Sequence, residues 1–170
     1  IIKDYFGNGE DFGVKIKYNY EENLLGTAGA LLPFKNELGN NPFYVIYGDN
    51  YIDFDLSELK LFNKEMNGDI SILFHWKNDV RFSGTAEFDS SNRIKKFNEK
   101  PKNYSKKNDW VNAGIYYINN DIINLINKYD DFGFNFFPKC IKIGYKLFGY
   151  RKQIKLSSID TLDLLMANSE

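Results

Sequence analysis

Residues 43–76, FYVIYGDNYIDFDLSELKLFNKEMNGDISILFHW, decide the fold class. Two short runs of β-branched and aromatic residues, 43–47 and 70–76, are bounded by turn residues and predict strands. Upstream, apolar and polar residues alternate over 14–20 and predict another strand. Because helices are expected between these strands, the first half of the chain predicts a mainly parallel α/β sheet with helices on its faces.

The segment between the predicted strands 43–47 and 70–76 predicts a helix. Asp55 stands at the capping position, and Glu58 occupies the reciprocal position of a capping box. The apolar residues that then fall near one face of the helix are Leu56, Leu59, Phe62 and Met66.

The pattern changes from Gly84 onward to closely spaced strands. The predicted strands are 85–89, 93–97 and 113–119, with a polar loop at 102–109, and together they indicate a smaller antiparallel layer.

Two further helices are predicted near the end of the chain. Asn120 or Asp121 is expected to cap the first, whose inward residues are Ile122, Ile123 and Ile126. Asp160-Thr161 is expected to open the second, which runs through Leu164 and Leu165. With no internal repeat or linker, residues 1–170 are expected to form a single domain.

The composition excludes several classes of protein. With 22 basic and 23 acidic side chains the net charge is -1, which gives no broad electrostatic footprint for nucleic acid or an anionic membrane. No apolar run approaches the roughly 18 residues of a membrane span. A single cysteine, Cys140, and a single histidine, His75, exclude an internal disulfide and the usual zinc sets. We therefore expect a cytoplasmic protein that uses oxygen ligands for any metal.

Tyr47-Gly48-Asp49-Asn50 follows a strand that is predicted to be buried. This places Asp49 at the carboxyl edge of the sheet, where α/β folds bind their ligands, and Gly48 would keep the approach open. A carboxylate there can hold Mg²⁺ together with the phosphates of a nucleotide. The alternative is an ordinary turn in which Asp49 bonds its own backbone.

Two other strand ends carry candidate binding residues. In Asn98-Glu99-Lys100-Pro101, Glu99 could accept hydroxyl hydrogen bonds and Lys100 could meet a phosphate, while the proline favours an extended Lys100. The alternative is an exposed ion pair before a turn. In 111–115, VNAGI, Asn112 and Gly114 suit a polyol over an open backbone, or else form a plain loop-to-strand turn.

Other candidate residues favour packing over chemistry. His75 lies on an apolar strand without a serine or acid constellation around it, and Cys140 resembles a small buried filler. The aromatic residues also favour core packing over a base-stacking platform, because no basic residues are interleaved with them. They include Phe132, Phe134, Phe136 and Phe137.

Six motifs in order give the chain a family resemblance. They are NLLGTAGAL (23–31), YGDN (47–50), GTAEFD (84–89), NEKP (98–101), VNAGIYYIN (111–119) and SIDTLDLLMAN (158–168). Together they resemble the sugar-1-phosphate nucleotidyltransferase family, especially its mannose- and heptose-1-phosphate guanylyltransferase branch. The resemblance implies a Rossmann-like mixed sheet between helices and a reaction that joins a nucleoside triphosphate to a sugar 1-phosphate, releasing pyrophosphate.

The resemblance also implies roles for individual residues. Gly26, Thr27, Ala28 and Gly29 would lie against the nucleobase, with Gly48 nearby, and Asp49 and Asp160 would bind Mg²⁺. Glu99 and Asn112 would hold sugar hydroxyls, Lys100 would meet the sugar phosphate, and Gly84 and Gly114 would line the sugar pocket. Residues 1–83 would then form the nucleotide-binding part and 84–170 the sugar-binding part. Asp49, Lys100 and Asp160 would be the catalytic residues.

The sequence departs from the family pattern in two places. The opening strand, the glycine-rich loop with an arginine and the following lysine have no counterpart in the 170 residues, so about a quarter of a typical catalytic domain would lie upstream of Ile1. A chain of this length alone is expected not to turn over. The segment Ser158-Ile159-Asp160-Thr161-Leu162 stands where family members often have Asp-Ile-Gly-Thr-Pro.

The leading hypothesis is a Mg²⁺-dependent transferase that uses GTP and a sugar 1-phosphate, for the synthesis of cell-surface polysaccharide or glycan. One alternative is the same reaction with CTP, UTP or dTTP. Another is a non-catalytic subunit that senses nucleotide sugars. Neither nucleic acid nor a membrane is expected as a partner, and a homo-oligomer is compatible with the sequence.

Overall fold

The computed structural model describes residues 1–101, 108–159 and 166. The α-helices are α1, Ile2–Phe6; α2, Lys35–Leu38; α3, Leu56–Glu65; and α4, Phe137–Lys142. Short 3-10 helices lie at Glu10–Phe12, Gly29–Phe34 and Asn120–Leu125, and one π-helical turn at Phe132–Phe136 leads into α4. The strands are β1, Phe43–Ile46; β2, Asn50–Ile52; β3, Ile70–Lys77; β4, Thr85–Phe88; β5, Ile94–Asn98; β6, Asp109–Ile118; β7, Leu147–Arg151; and β8, Leu156–Ser158.

β6 is the central strand of a mixed sheet. It pairs antiparallel with β3 along one edge, and with β1 and β4 along the other. β7 pairs parallel with β3, so β1, β3 and β7 point in one direction and β6 points in the other. The β4–β5 hairpin extends the same sheet, while β2 and β8 form a separate antiparallel pair. The predicted mixed sheet is confirmed, but among the described strands of this sheet only β3 and β7 pair parallel, and the strand predicted at 113–119 lies at its centre and not in a separate antiparallel layer.

Helices cover both faces of this sheet. Ile70, Ile72 and Phe74 of β3 point toward the core that contains the buried side chains of α4, whereas Leu73 points toward the core under α3. This alternation follows from the two-residue period of a strand. The layered α/β architecture predicted from the sequence is therefore confirmed, with Leu59 of α3 fully buried against the second face.

The predicted helix 56–65 begins as expected, but only half of its capping box forms. The Asp55 carboxylate accepts a hydrogen bond from the Ser57 amide at 2.8 Å, a cap worth about 1 kcal/mol. Glu58 instead accepts hydrogen bonds from the Tyr150 hydroxyl and the Lys152 ammonium, at 2.9 and 2.6 Å. The capping-box role of Glu58 was thus wrong, because a cationic donor from the neighbouring strand segment is a stronger partner than a backbone amide.

Two other expectations were wrong. Residues 14–20 form no strand, because no strand of the described chain pairs with them and only Ile16 is partly buried.

Neither Asn120 nor Asp121 caps a helix with its side chain: the segment is a 3-10 helix whose N-cap position is Asn119. Its isoleucines Ile122, Ile123 and Ile126 are buried as predicted. The helix predicted from Asp160 lies outside the described residues.

Within the described ranges, no helix has the length and apolar character needed to cross a membrane.

Candidate functional site

A cleft of about 240 Å³ opens where β1 ends beside β6 and the β4–β5 hairpin. The structure brings together in its walls six of the residues predicted for the site: Asp49, Gly84, Glu99, Lys100, Asn112 and Gly114. Other lining residues include Tyr47, Asn50, His75, Lys77 and Ser158. The three separate motifs YGDN, NEKP and VNAGI therefore meet in one cavity.

A bulge in β6 shapes the floor of the cleft. Tyr116 lies opposite Ile72 and Asn112 lies opposite Phe74, so three residues of β6 face a single residue of β3. Gly114 allows this, because its φ of +72° is left-handed and a β-carbon there would lie 2.8 Å from Cγ of Tyr47. Asn112 holds the bulge from inside: its Oδ1 accepts from the Gly114 amide at 3.0 Å and its Nδ2 donates to the Tyr116 hydroxyl at 2.8 Å.

The bulge is fastened to the end of β1. The Tyr47 amide donates to the Gly114 carbonyl at 2.9 Å, and Asn50 Nδ2 donates to the Ala113 carbonyl at 3.3 Å. These bonds hold the Tyr47-to-Asn50 turn over the cleft, with the Asp49 side chain exposed. The carbonyl of Asp49 accepts from the Ile159 amide at 2.8 Å. Asp160, the next residue in the sequence, lies outside the described residues. Gly48 does not line the cleft, and a β-carbon at this position would meet nothing within 4 Å.

Glu99 lies between two glycines. A β-carbon at Gly84 would lie 2.5 Å from one of its carboxylate oxygens, and a β-carbon at Gly133 would lie 2.2 Å from the same oxygen. Burial raises the pKa of Glu99, the negative charge of Asp131 raises it further, and Lys100 opposes both. No hydrogen bond within the described part of the chain occupies the carboxylate, so it is available to a ligand hydroxyl.

Lys100 has an unexpected backbone conformation. Its φ is +42°, whereas Pro101 was expected to favour an extended residue at this position. That expectation was wrong. A left-handed non-glycine residue costs of order 1–3 kcal/mol, and such residues concentrate at binding and catalytic sites. The strained Lys100 lies at the cleft with its side chain exposed.

The small residues Gly26 to Gly29 have a structural explanation. Gly26 is left-handed, with a φ of +78°, and a β-carbon there would lie 2.4 Å from the Asp130 carbonyl oxygen. That carbonyl also accepts hydrogen bonds from the amides of Ala28 and Gly29, at 3.0 and 2.9 Å. The segment therefore packs against the backbone around Asp130 and is not part of the cleft wall. Its contact with a nucleobase stays a prediction.

His75 and Cys140 are packed as predicted. Burial, helped by the charge of Lys77, lowers the pKa of His75 to about 4, so the imidazole at the cleft wall is neutral at physiological pH. Cys140 is fully buried, which raises the pKa of its thiol to about 12. The core assignment was wrong for one aromatic residue, since Phe134 is 62% exposed. Phe132, Phe136 and Phe137 are fully buried.

Sequence reasoning missed Asp131 and Gly133. Asp131 caps the turn before α4, because its Oδ1 accepts from the amides of Gly133 and Phe134 at 2.9 and 3.0 Å. An aspartate directly before an apolar helical segment is a recognisable capping signal, so Asp131 could have been identified as a cap. Nothing in the sequence indicated that Gly133 lies against Glu99.

The fit of Mg²⁺ to this cleft rests on its carboxylates. The described residues contain no group of three or more histidine, cysteine, aspartate or glutamate side chains arranged to hold a metal ion. Asp49 does offer an exposed carboxylate at the cleft, and Mg²⁺ is commonly held by one or two carboxylates together with substrate phosphates. The residues present therefore fit a cation that is shared with a phosphorylated ligand.

Comparison with known proteins gives consistent matches. A family model described as nucleotidyl transferase matches residues 1–154. The D-glycero-alpha-D-manno-heptose 1-phosphate guanylyltransferase of Campylobacter jejuni is 36% identical over 137 residues, covering 81% of this chain and 58% of the relative. The UTP–glucose-1-phosphate uridylyltransferase of Synechocystis is 30% identical over 158 residues, covering 84% of this chain and 41% of the relative. The chain thus spans about half the length of these relatives.

Solved structures share the fold. A proposed glucose-1-phosphate thymidylyltransferase from Bacillus anthracis superposes with a TM-score of 0.83 at 21% identity, covering 98% of this chain and 68% of that one. HddC from Yersinia pseudotuberculosis, solved in complex with GMP-PN, superposes with a TM-score of 0.75 at 22% identity, covering 98% of this chain and 71% of that one. At these identities the likeness establishes the fold alone.

Proposed function

Because this chain belongs to the nucleotidyl transferase family, we propose that the protein transfers a nucleotidyl group from a nucleoside triphosphate to a sugar 1-phosphate, releasing pyrophosphate. The observation that carries this proposal is the meeting of Asp49, Glu99, Lys100 and Asn112 in one cleft. A carboxylate, a hydroxyl acceptor, a cation and an amide within one cavity match the needs of a phosphorylated sugar.

Glu99 and Asn112 form the acceptor side of this site. The Glu99 carboxylate can accept two or more hydroxyl hydrogen bonds, and the glycines on either side leave its oxygens in place. Asn112 uses one N–H and one oxygen lone pair to hold the bulge, so a second N–H and a second lone pair stay available for a polyol. Lys100 supplies a point charge for the sugar phosphate.

The reaction requires alignment more than acid–base catalysis. The attacking group is a phosphate oxygen that is already charged at neutral pH, so positioning and charge neutralisation for an in-line attack on the α-phosphorus dominate. A neutral His75 and a buried Cys140 fit a site that does not depend on a strong base. We place Mg²⁺ at Asp49, with Asp160 as the second ligand; when bound, it would neutralise charge developing on the phosphates.

GTP is the nucleotide that we favour. The support is the 36% identity to a heptose 1-phosphate guanylyltransferase, with mannose-1-phosphate guanylyltransferases also among the relatives. Uridylyl- and thymidylyltransferases are relatives too, at 30% and 31% identity, so UTP and dTTP are the alternatives, together with CTP. We further propose that the product serves cell-surface polysaccharide or glycan synthesis in the cytoplasm.

A panel assay tests the proposal. The protein encoded by the complete gene would be assayed for pyrophosphate release with GTP, UTP, CTP and dTTP, each with mannose and heptose 1-phosphates. We expect turnover with GTP. Binding of nucleotide sugars without turnover of any pair would favour the alternative of a non-catalytic sensor.

Asp49→Asn tests the metal role within the same assay. We expect turnover to fall about 100-fold or more with little change in melting temperature, because an exposed charged group is removed from the reacting phosphates. Asp53→Asn is the matched control, since this aspartate is exposed between β2 and α3, close to Asp49 in the sequence, but does not line the cleft. Near-normal turnover of Asp49→Asn would refute the role of Asp49.

A further inference from the structure

Asp131 and Phe132 both form hydrogen bonds with the side chain of Thr27. The Thr27 hydroxyl donates to Oδ2 of Asp131 at 2.8 Å and accepts from the Phe132 amide at 2.9 Å. Its O–H and one of its two acceptor lone pairs are therefore used by residues about a hundred positions away in the sequence. The amides of Ala28 and Gly29 also donate to the Asp130 carbonyl, and together these hydrogen bonds hold the segment Gly26 to Gly29 in place.

The same turn also confines the sugar side of the cleft. Oδ1 of Asp131 accepts from the Gly133 amide, which sets the position of Gly133 against the Glu99 carboxylate. A shift of this turn by about 1 Å would either close on Glu99 or open a gap beside it, since a β-carbon at Gly133 would already overlap the carboxylate.

We propose that Asp131 is a positioning residue that joins the two halves of the site, with one carboxylate oxygen holding the Gly26–Gly29 segment and the other holding the wall beside Glu99. The proposal rests on the function proposed above, because it assumes that nucleotide and sugar phosphate bind on these two sides. Asp131 itself does not line the cleft, so it acts through Thr27 and Gly133.

The charge of Asp131 adds a second effect. Burial is the larger cause of the raised pKa of Glu99, the charge of Asp131 raises this pKa further, and Lys100 lowers it. Among the described residues, the charged groups that shift the pKa of Glu99 are Asp131 on the capping turn and Lys100, its neighbour in sequence. Loss of the Asp131 charge should make Glu99 ionise at lower pH.

Asp131→Asn separates the positioning role from the capping role. The amide oxygen can still cap Gly133 and Phe134, but an NH₂ group replaces the oxygen that accepts from Thr27. The Thr27 oxygen accepts from Phe132 and keeps a second lone pair, so the NH₂ group can donate only a neutral hydrogen bond to it, and the Thr27 O–H loses its charged acceptor. Thr27→Val removes this bond and the one from the Phe132 amide with little change of shape, and Thr27→Ser keeps both.

The test is calorimetric binding to the protein encoded by the complete gene, with GTP and mannose 1-phosphate, or the pair that the panel assay selects. We expect Asp131→Asn to weaken both ligands about tenfold, in keeping with the loss of a charged hydrogen bond. Thr27→Val should weaken the nucleotide by a similar factor, Thr27→Ser should restore it, and the double variant should be no worse than the poorer single variant.

Asp121→Asn is the control for loss of one negative charge, because Asp121 is exposed on a 3-10 helix away from the cleft. Wild-type affinities for both ligands in Asp131→Asn, or a lowered melting temperature with unchanged affinities, would overturn the positioning role. Failure of the unaltered protein to bind either ligand would instead count against the proposed function. The two failures are therefore distinguishable.

Discussion

Replacing Gly114 by alanine tests whether the bulge in β6 organises the cleft. The residue is left-handed, at a φ of +72°, and its added methyl group would lie 2.8 Å from Cγ and 2.9 Å from Cβ of Tyr47. Rotation about χ1 can move Cγ, but Cβ is bonded to the backbone and cannot move without it. The Tyr47 amide is in turn bonded to the Gly114 carbonyl, so relief of the clash must displace the turn that carries Asp49.

The magnitude follows from two terms. A left-handed conformation costs an L-residue roughly 1–2 kcal/mol, and overpacking of a filled site typically costs about 1–3 kcal/mol. Alanine also restricts the unfolded chain, which returns about 0.4–1 kcal/mol. We therefore expect Gly114→Ala to lower the free energy of unfolding by about 1–5 kcal/mol, or the melting temperature by roughly 2–20 °C for a domain of this size.

Gly144→Ala is the matched control. Gly144 also has a positive φ, +98°, but a β-carbon there would meet nothing within 4 Å, so only the backbone term of about 1 kcal/mol applies. Urea unfolding of both variants, followed by circular dichroism, measures the difference. Equal losses in the two variants, within about 0.5 kcal/mol, would refute the steric argument at Tyr47.

Three further predictions concern titratable groups. The pKa of His75 is depressed from 6.5 to about 4, so the free energy of unfolding should fall by up to about 3 kcal/mol as the pH is lowered from 6.5 to 4. A His75→Asn variant should lack this part of the pH dependence in urea titrations. The pKa of Glu99 is raised above 4.5, so the folded protein loses stability as the pH rises from 4.5 through the raised value. Glu99→Gln should therefore melt at a higher temperature at pH 7, while it binds sugar phosphate more weakly. A lower melting temperature would contradict this. With a thiol pKa of about 12 and full burial, Cys140 should react with a thiol reagent at pH 8 only after denaturant is added, and rapid labelling of the folded protein would disprove the assignment.

The sequence alone determined the local elements and many of the residues that meet in the cleft. The strands at 43–46 and 70–77 and the buried isoleucines after Asn120 follow from periodicity, and the start of the helix after Asp55 follows from capping. Both signals depend on residues close together in the chain. The residues of YGDN, NEKP and VNAGI could be named because each small or polar residue interrupts or follows such a strand.

Only the tertiary structure decided how these pieces contact one another. Alternation at 14–20 was misleading, because a strand also needs a neighbour to pair with. Lys100 adopts a left-handed backbone against the preference that Pro101 imposes. Thr27 and Asp131 meet across 104 positions of sequence, and Gly133 lies against Glu99. Such contacts depend on how whole layers pack, and no local pattern of residue types encodes them.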